Sequence, residues 1–247
     1  MDRLIYTALS AMKGTMARQQ AIASNLANAN TIGFRADIAS ASALYTSDRP
    51  NSARVMSSSE VSAADMSEGQ IMETGRALDV ALSGGALLTV QADDGEEAYT
   101  RRGDLMMSET GVLTNGDGKL VVGEEGPVTI PPADDVKIEA DGAIWIVPAG
   151  GDPAVPQKIG RLKLVSPVGS EIAKGNDGLF RVKGGGALPQ DPQGRLTSGA
   201  LEGSNVDSTR ALVEMIDASR AWETQVRMLT TLRELDDKAT QLMQVQA

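Results

Sequence analysis

The residues best placed for chemistry in this chain are acidic. Asp93-Asp94-Gly95-Glu96-Glu97 gathers four carboxylates around one glycine, which suggests either a calcium loop or a carboxylate pair for general acid and base work. The oxygen ligands of a calcium loop alternate along a longer segment, and this spacing does not match. A solvated hairpin turn is the reading that the glycine favours. Glycoside cleavage needs only two facing carboxylates, so other Asp and Glu residues keep that chemistry formally open. The aromatic platforms that stack on sugars are scarce, however, because Phe, Trp and Tyr make up only 3% of the chain. Histidine and cysteine are both absent, which removes His-based triads, His-ligated metals, thiolate sites and disulfides. Asp117-Gly118-Lys119 and Gly184-Gly185-Gly186 lack the strand, loop and helix context of a phosphate cradle and read as turns. No cofactor and no metal is expected.

Charge and composition narrow the partners. The formal net charge is -10, and nucleic acid is not expected as a partner because phosphate binding needs a clustered cationic surface. The one basic pair, Arg101-Arg102, is isolated and reads as a solvated strand edge. With 247 residues, 41% of them hydrophobic, the chain can build a core of Ala, Val, Leu, Ile and Met. No apolar run reaches the length of about 18 residues that a spanning helix needs. The start, Met1-Asp2-Arg3-Leu4, passes directly into an amphipathic pattern, so no cleavable signal peptide is expected.

The elements that must position these residues fall into three zones. On a seven-residue grid Ile5, Ala8, Leu9, Met12, Met16, Ile22, Ala23 and Leu26 share one broad face, the signature of a long amphipathic helix. That helix is expected to close near residues 29–33, where Asn30 and Gly33 suit a helix end. At the other terminus Leu212, Met215, Trp222, Val226, Leu229, Leu232 and Leu242 recur at three- and four-residue steps. Ser204 or Asn205 is expected to cap this second helix, with Asp207 adding negative charge to its first turn. Residues 36–70 are rich in Ser and Ala, lack sustained periodicity, and read as an extended arm. Between about 71 and 202, short apolar runs at 80–82, 86–90, 119–122, 128–130, 143–147 and 161–165 predict strands. Asn115-Gly116, Asp141-Gly142 and Asp177-Gly178 predict tight reversals. The expected fold is α+β: helices within 1–35 and 203–247 pairing as a coiled-coil-like inner domain, an arm over 36–70, and a mostly antiparallel β domain inserted at 71–202.

Several segments together resemble a known family. Ala8-Leu9-Ser10-Ala11-Met12, Gln20 and the run from Ala23 to Arg35, which reads Ala-Ser-Asn-Leu-Ala-Asn-Ala-Asn-Thr-Ile-Gly-Phe-Arg, resemble the N-terminal signature of bacterial flagellar rod and hook proteins. The stretch from Gly69 to Leu82, Tyr99-Thr100-Arg101-Arg102-Gly103, and the stretch from Gly199 to Asp207 followed by Glu214-Met215-Ile216 and Arg220-Ala221-Trp222-Glu223 are similar to later motifs of the same family. The order is the family's, and the resemblance covers nearly the whole chain. Its proximal-rod members are the nearest in length and in Glu125-Gly126-Pro127-Val128-Thr129-Ile130-Pro131, with distal-rod members the near alternative. Where relatives carry a Gly-Phe-Phe step this chain has Gly85-Ala86-Leu87-Leu88, which implies a repacked core in an unchanged role.

The resemblance implies a non-enzymatic subunit of the basal-body rod, carrying torque across the periplasm and lining an export channel. Its implied partners are copies of itself, other proximal-rod proteins, the distal-rod protein and the flagellar type III export apparatus. The assembly surface is then expected on Ile5, Leu9, Met12, Met16, Ile22 and Leu26 of the first helix. On the second it is expected at Ser204, Asn205, Val206, Met215, Trp222, Val226, Leu229 and Leu232. Asn25, Asn28 and Asn30 lie close to the apolar stripe, where a buried amide must be hydrogen-bonded and can fix register between helices. Capping of the helix by Asn28 and Asn30 is the simpler alternative. A secreted adhesin and a carbohydrate-cleaving β domain are the readings from other classes.

Overall fold

The computed structural model of the chain describes residues 2–45 and 55–245. The chain divides into two compact units, one formed by 1–27, 37–63 and 207–247 and the other by 28–36 and 64–206. The first unit contains α1 (Asp2–Ala27), β1 (Asp37–Tyr45), β2 (Val55–Ala64) and α2 (Ser208–Val245). α1 packs along α2, with Gln225 Nε2 donating to Thr15 Oγ1 at 2.9 Å. Ala21 and Ile22 on α1 and Ala211 and Ala218 on α2 are buried. Small residues at such positions let two helix backbones approach closely.

The arm expected over 36–70 to be without regular structure is corrected by β1 and β2, which pair as a two-stranded sheet. The reason is physical: Ser and Ala differ too little in hydropathy to display a period of two, so backbone pairing can define a strand that side-chain patterning does not announce. Part of the arm, residues 46–54, lies outside the described residues.

The second unit holds the β structure. Its strands are β3 (Ile71–Glu73), β4 (Val80–Leu82), β5 (Leu87–Gln91), β6 (Glu97–Thr100), β7 (Leu105–Met107), β8 (Leu113–Asn115), β9 (Leu120–Gly123) and β10 (Gly126–Pro127). They continue with β11 (Ala133–Ile138), β12 (Ala143–Pro148), β13 (Gln157–Arg161), β14 (Leu164–Val165), β15 (Ile172–Lys174), β16 (Phe180–Val182), β17 (Leu196–Ser198) and β18 (Ala200–Glu202). The main sheet runs β15-β16-β6-β5-β9-β8-β7, with β10 attached to β9 and β14 to β5. A second sheet is β11-β12-β13, and two ribbons pair β17 with β4 and β18 with β3. The registered pairs are antiparallel.

Aliphatic residues fill the core, as the shortage of aromatics requires. Val80, Leu82, Leu88, Val90, Leu105 and Leu113 lose essentially all solvent contact, each burial contributing about 1.5–3 kcal/mol. Leu87 joins a second cluster with Tyr99, Val165, Phe180 and Leu188, so the Ala86-Leu87-Leu88 step is packed on both sides of the sheet. Two expected strands are corrected. Residues 161–165 are broken at Leu162 and Lys163 into the end of β13 and β14. Residues 128–130 join by single bonds, Val128 N to Val121 O and a bridge at Thr129, while the ladder itself sits at β10.

Candidate functional site

The chain crosses between the two units four times: Ala27 to Asn28, Ala36 to Asp37, Ala63 to Ala64 and Val206 to Asp207. The segments of the β unit that carry these crossings are tied together in one buried cluster, and its centre is Glu202. This carboxylate is 1% exposed, on the last residue of β18. Its Oε2 accepts from Arg101 Nε at 2.8 Å and Nη2 at 2.5 Å. Its Oε1 accepts from Gly69 N at 2.8 Å and stands 2.7 Å from Arg35 Nη2. Three side chains of two opposite charges are thus withdrawn from water, an arrangement that is costly unless each charge is both paired and hydrogen-bonded.

Arg101 meets that requirement in full. Its remaining N–H groups go to the carbonyls of Leu82, Gly84 and Ala86 at 2.6–2.8 Å. Burial nonetheless pushes its pKa below the usual arginine value, against the pull of Glu202. The solvated strand edge expected for the Arg101-Arg102 pair is therefore corrected: Arg101 is 1% exposed, and Arg102 is held by Asp104 and Asp117. Arg35 is bound differently. Its approach to Glu202 is an ion pair without hydrogen-bond alignment, and none of its guanidinium nitrogens has an aligned acceptor among the described residues.

Backbone contacts close the cluster. Gly33 N donates to Glu202 O, Asn205 N to Phe34 O and Gly203 N to Gln70 O. Gly33 has φ +66°, and a Cβ there would meet the Arg101 carbonyl carbon at 2.5 Å, so only glycine fits. Gly69 faces the Gly203 carbonyl at a distance that leaves no room for a methyl group. Asn205 then spans three segments: its Oδ1 accepts from Ala36 N at 2.8 Å, and its Nδ2 donates to Asp65 O at 2.9 Å and Ser67 O at 3.0 Å. Nearby Asp79, 3% exposed, accepts from Thr74 Oγ1 and from Arg76 Nε.

The expected cap of α2 is relocated. Asp207 Oδ1 accepts from Thr209 N and Arg210 N, whereas Ser204 Oγ accepts from Val206 N and Asn205 is engaged in the cluster. Of the other singled-out asparagines, Asn25 exchanges both amide ends with the backbone of Asp37, at 3.0 and 2.7 Å. Asn28 accepts from Thr31 N and Thr31 Oγ1 in the turn after α1, and Asn30 is exposed.

On the helices, Ile22 is buried, while Met12, Leu26, Met215, Trp222 and Leu229 are half-buried. Leu9, Met16 and Val226 are exposed. The side chains of Ile5 and Leu232 lie outside the described residues. In the acidic loop Asp93 pairs with Lys119, Asp94 with Arg181 and Glu97 with Lys163, as befits a hairpin tip pinned to neighbouring strands. Among the described residues no group of three carboxylates is arranged to hold a metal ion, and no helix is long and apolar enough to cross a membrane.

The three charged residues at the centre of this cluster belong to segments matched by three family models. Residues 5–35 match "Flagella basal body rod protein", 81–146 match "Flagellar hook protein FlgE/F/G D1 domain" and 197–242 match "Flagellar basal body rod FlgEFG protein C-terminal". Over its whole length the chain is 41% identical to the flagellar basal-body rod protein FlgF of Salmonella typhimurium, covering 98% of this chain and 99% of that one. The chain belongs to the flagellar basal-body rod protein family. It is also 39% identical to FlgF of Escherichia coli over the same shares, and 32% identical to the rod protein FlgG of Bacillus subtilis over 95% of this chain and 97% of that one. As a member of the rod family it is a structural protein of the flagellar basal body. Arg35 lies in the first matched segment, Arg101 in the second, and Glu202 and Asn205 in the third. Sequence reasoning named Asn205 as a cap and an assembly residue, read Arg101 as solvated, and gave Arg35 and Glu202 no role in a site. The signal it could have used is a lone carboxylate, Glu202, between apolar Ala200-Leu201 and Gly203 in a predicted buried stretch.

Proposed function

We propose that the chain is a subunit of the proximal rod, that α1 and α2 belong to an inner helical layer bordering an export channel, and that the β unit stands in an outer layer. The higher identity to FlgF of Salmonella typhimurium and Escherichia coli, 41% and 39%, than to FlgG of Bacillus subtilis, 32%, favours the proximal position. Its partners are copies of itself, other proximal-rod proteins, the distal-rod protein and the flagellar type III export apparatus that delivers it.

The observation that supports a mechanical role is that the β-unit segments leading to the four crossings are tied to one another around the Arg35–Glu202–Arg101 cluster. Any torque passed between the two units along the chain must run through those crossings. Within the β unit, buried ion pairs and glycine backbones in direct contact hold the segments that lead to these crossings, and a close-packed interior deforms little. Turnover is not required of such a part. Electron cryomicroscopy of isolated basal bodies tests the assignment through the two tryptophans. Density fitting this sequence between rotor and distal rod, with Trp222 near the axis and Trp145 outside, is the expected result; rod density that accepts this chain nowhere overturns it.

A further inference from the structure

The β11–β13 sheet packs one face on the core and turns the other outward. Val136, Ile138, Ile144, Ile146 and Ile159 belong to the core side, so Lys137 and Trp145, which alternate with them, point away from it. The register sets Lys137 opposite Trp145 on one side and Lys158 opposite it on the other. The result is a Lys–Trp–Lys row across three strands, its two cations two strand spacings, or about 10 Å, apart.

Three features single out this row. The first is that the fold does not use its charges. Acidic residues far outnumber basic ones in the β unit, and every other lysine and arginine of residues 64–206 forms an ion pair or donates to a carbonyl oxygen. Among the described residues Lys137 and Lys158 do neither, although carboxylates are near. Asp135 and Glu139 lie two residues to either side of Lys137, and Lys158 acts on Asp141 only through space.

The second is the indole. Tyr99 and Phe180 are buried, so Trp145 is the aromatic ring of residues 64–206 that meets solvent. Its Nε1 is buried without an acceptor among the described residues, a cost that an aliphatic side chain would avoid. Packing alone does not call for tryptophan here.

The third is position. Peptides are recognised on sheets by adding a strand at an edge or by filling a groove. Trp145 lies on the central strand, where the sheet face offers neither.

We propose that this row binds an acidic glycan strand lying across the three β-strands, with one sugar ring stacked on Trp145 and a carboxylate at each lysine. Asp135 and Glu139 repel a polymer charged at every unit. A carboxylate on every second sugar instead sets its charges at the lysines and an uncharged ring over the indole. Cell-wall glycan stripped of its stem peptides has that pattern, and a shaft that crosses the periplasm passes through the wall. The choice of this glycan rests on the rod reading; the chemistry of the row does not. One ring and two exposed charges make a weak contact, which a turning shaft can break and remake.

The test uses the full chain carrying Trp222→Phe, which leaves Trp145 as its one tryptophan. Soluble fragments of peptide-stripped glycan are titrated in while its fluorescence is followed, and the chain is also sedimented with insoluble stripped wall. A saturating change in Trp145 emission is expected, together with pelleting that salt weakens. Trp145→Leu and the double variant Lys137→Ser with Lys158→Ser are expected to lose the pelleting, while circular dichroism shows that each is folded. Absence of pelleting, or pelleting unchanged in the double variant, overturns the proposal. So does equal pelleting with intact wall, whose sugar carboxylates are capped by peptide, or an equal emission change with polyglutamate. If isolated basal bodies lack the chain, the rod reading fails while the binding result stands, so the two failures are told apart.

Discussion

At the scale of single residues, Glu202 is the member of the cluster with no substitute. Removing it leaves two buried guanidinium groups with no counter-charge between them, and breaking a buried ion pair in this way costs about 3–5 kcal/mol. Glu202→Ala is therefore expected to lower unfolding stability in urea by that amount, with Arg35→Met in the same background recovering part of it; a loss below about 1 kcal/mol would show that the cluster does not hold the fold. Gly33→Ala is expected to be at least as disruptive as an ordinary core change, since its backbone is left-handed and the neighbouring carbonyl group would have to move. Away from the cluster, Arg181 holds the Asp177 carboxyl below its usual range, chiefly by a side-chain hydrogen bond. A depressed carboxylate stabilises the fold above its unfolded value and loses that contribution as pH falls through the folded one. Asp177→Asn should accordingly be less stable than the parent at neutral pH, with the gap closing in acid below the ordinary carboxylate range; a gap unchanged by acid would refute the pairing.

At the scale of elements, α2 starts where Asp207 accepts two backbone amides. Asp207→Ala should weaken that first turn by about 1 kcal/mol, read as faster hydrogen exchange at residues 208–211 with the β unit unchanged. Both helices and the strands at 80–82, 87–91 and 143–148 were legible from periodicity, because each buries one face and exposes the other or is wholly apolar. The cluster was not. Arg101 follows Tyr99-Thr100 on a strand and adjoins a second arginine, so sequence alone gives no reason to separate a buried cation from a solvated one. Only the fold brings Glu202, 101 residues later, to its side. The ribbon of β1 and β2 was hidden for the opposite reason, a lack of contrast between alternate residues. Asn205 was noticed but given the wrong neighbours, since a side chain that caps helices in general is here used to bind three segments.

At the scale of the whole molecule, the two units are built with different densities of burial. The β unit has a continuous aliphatic core, whereas α1 fully buries only Ala21 and Ile22 among its described apolar side chains. In proteins most of a helix's stability comes from packing of its apolar face, not from intrinsic propensity. Hydrogen exchange of a verified monomer is thus expected to show the β5, β6 and β9 amides strongly protected and those of the first three turns of α1 weakly protected, with the latter slowing sharply in assembled rods. Equal protection in monomer and rod would mean that the helices owe nothing to their neighbours. The net charge of -10 acts in the same direction, keeping free subunits apart.

β3 and β4 find their registered partners, β18 and β17, more than 100 residues further along the chain. Such pairings have the largest loop-closure cost and form late. A chain that emerges from a narrow exit one end at a time, from whichever end, therefore cannot complete these pairings until most of it has passed. A chain cut short before Glu202 lacks the carboxylate that Arg35 and Arg101 share, and its β unit is expected to stay unclosed where β18 should pair with β3.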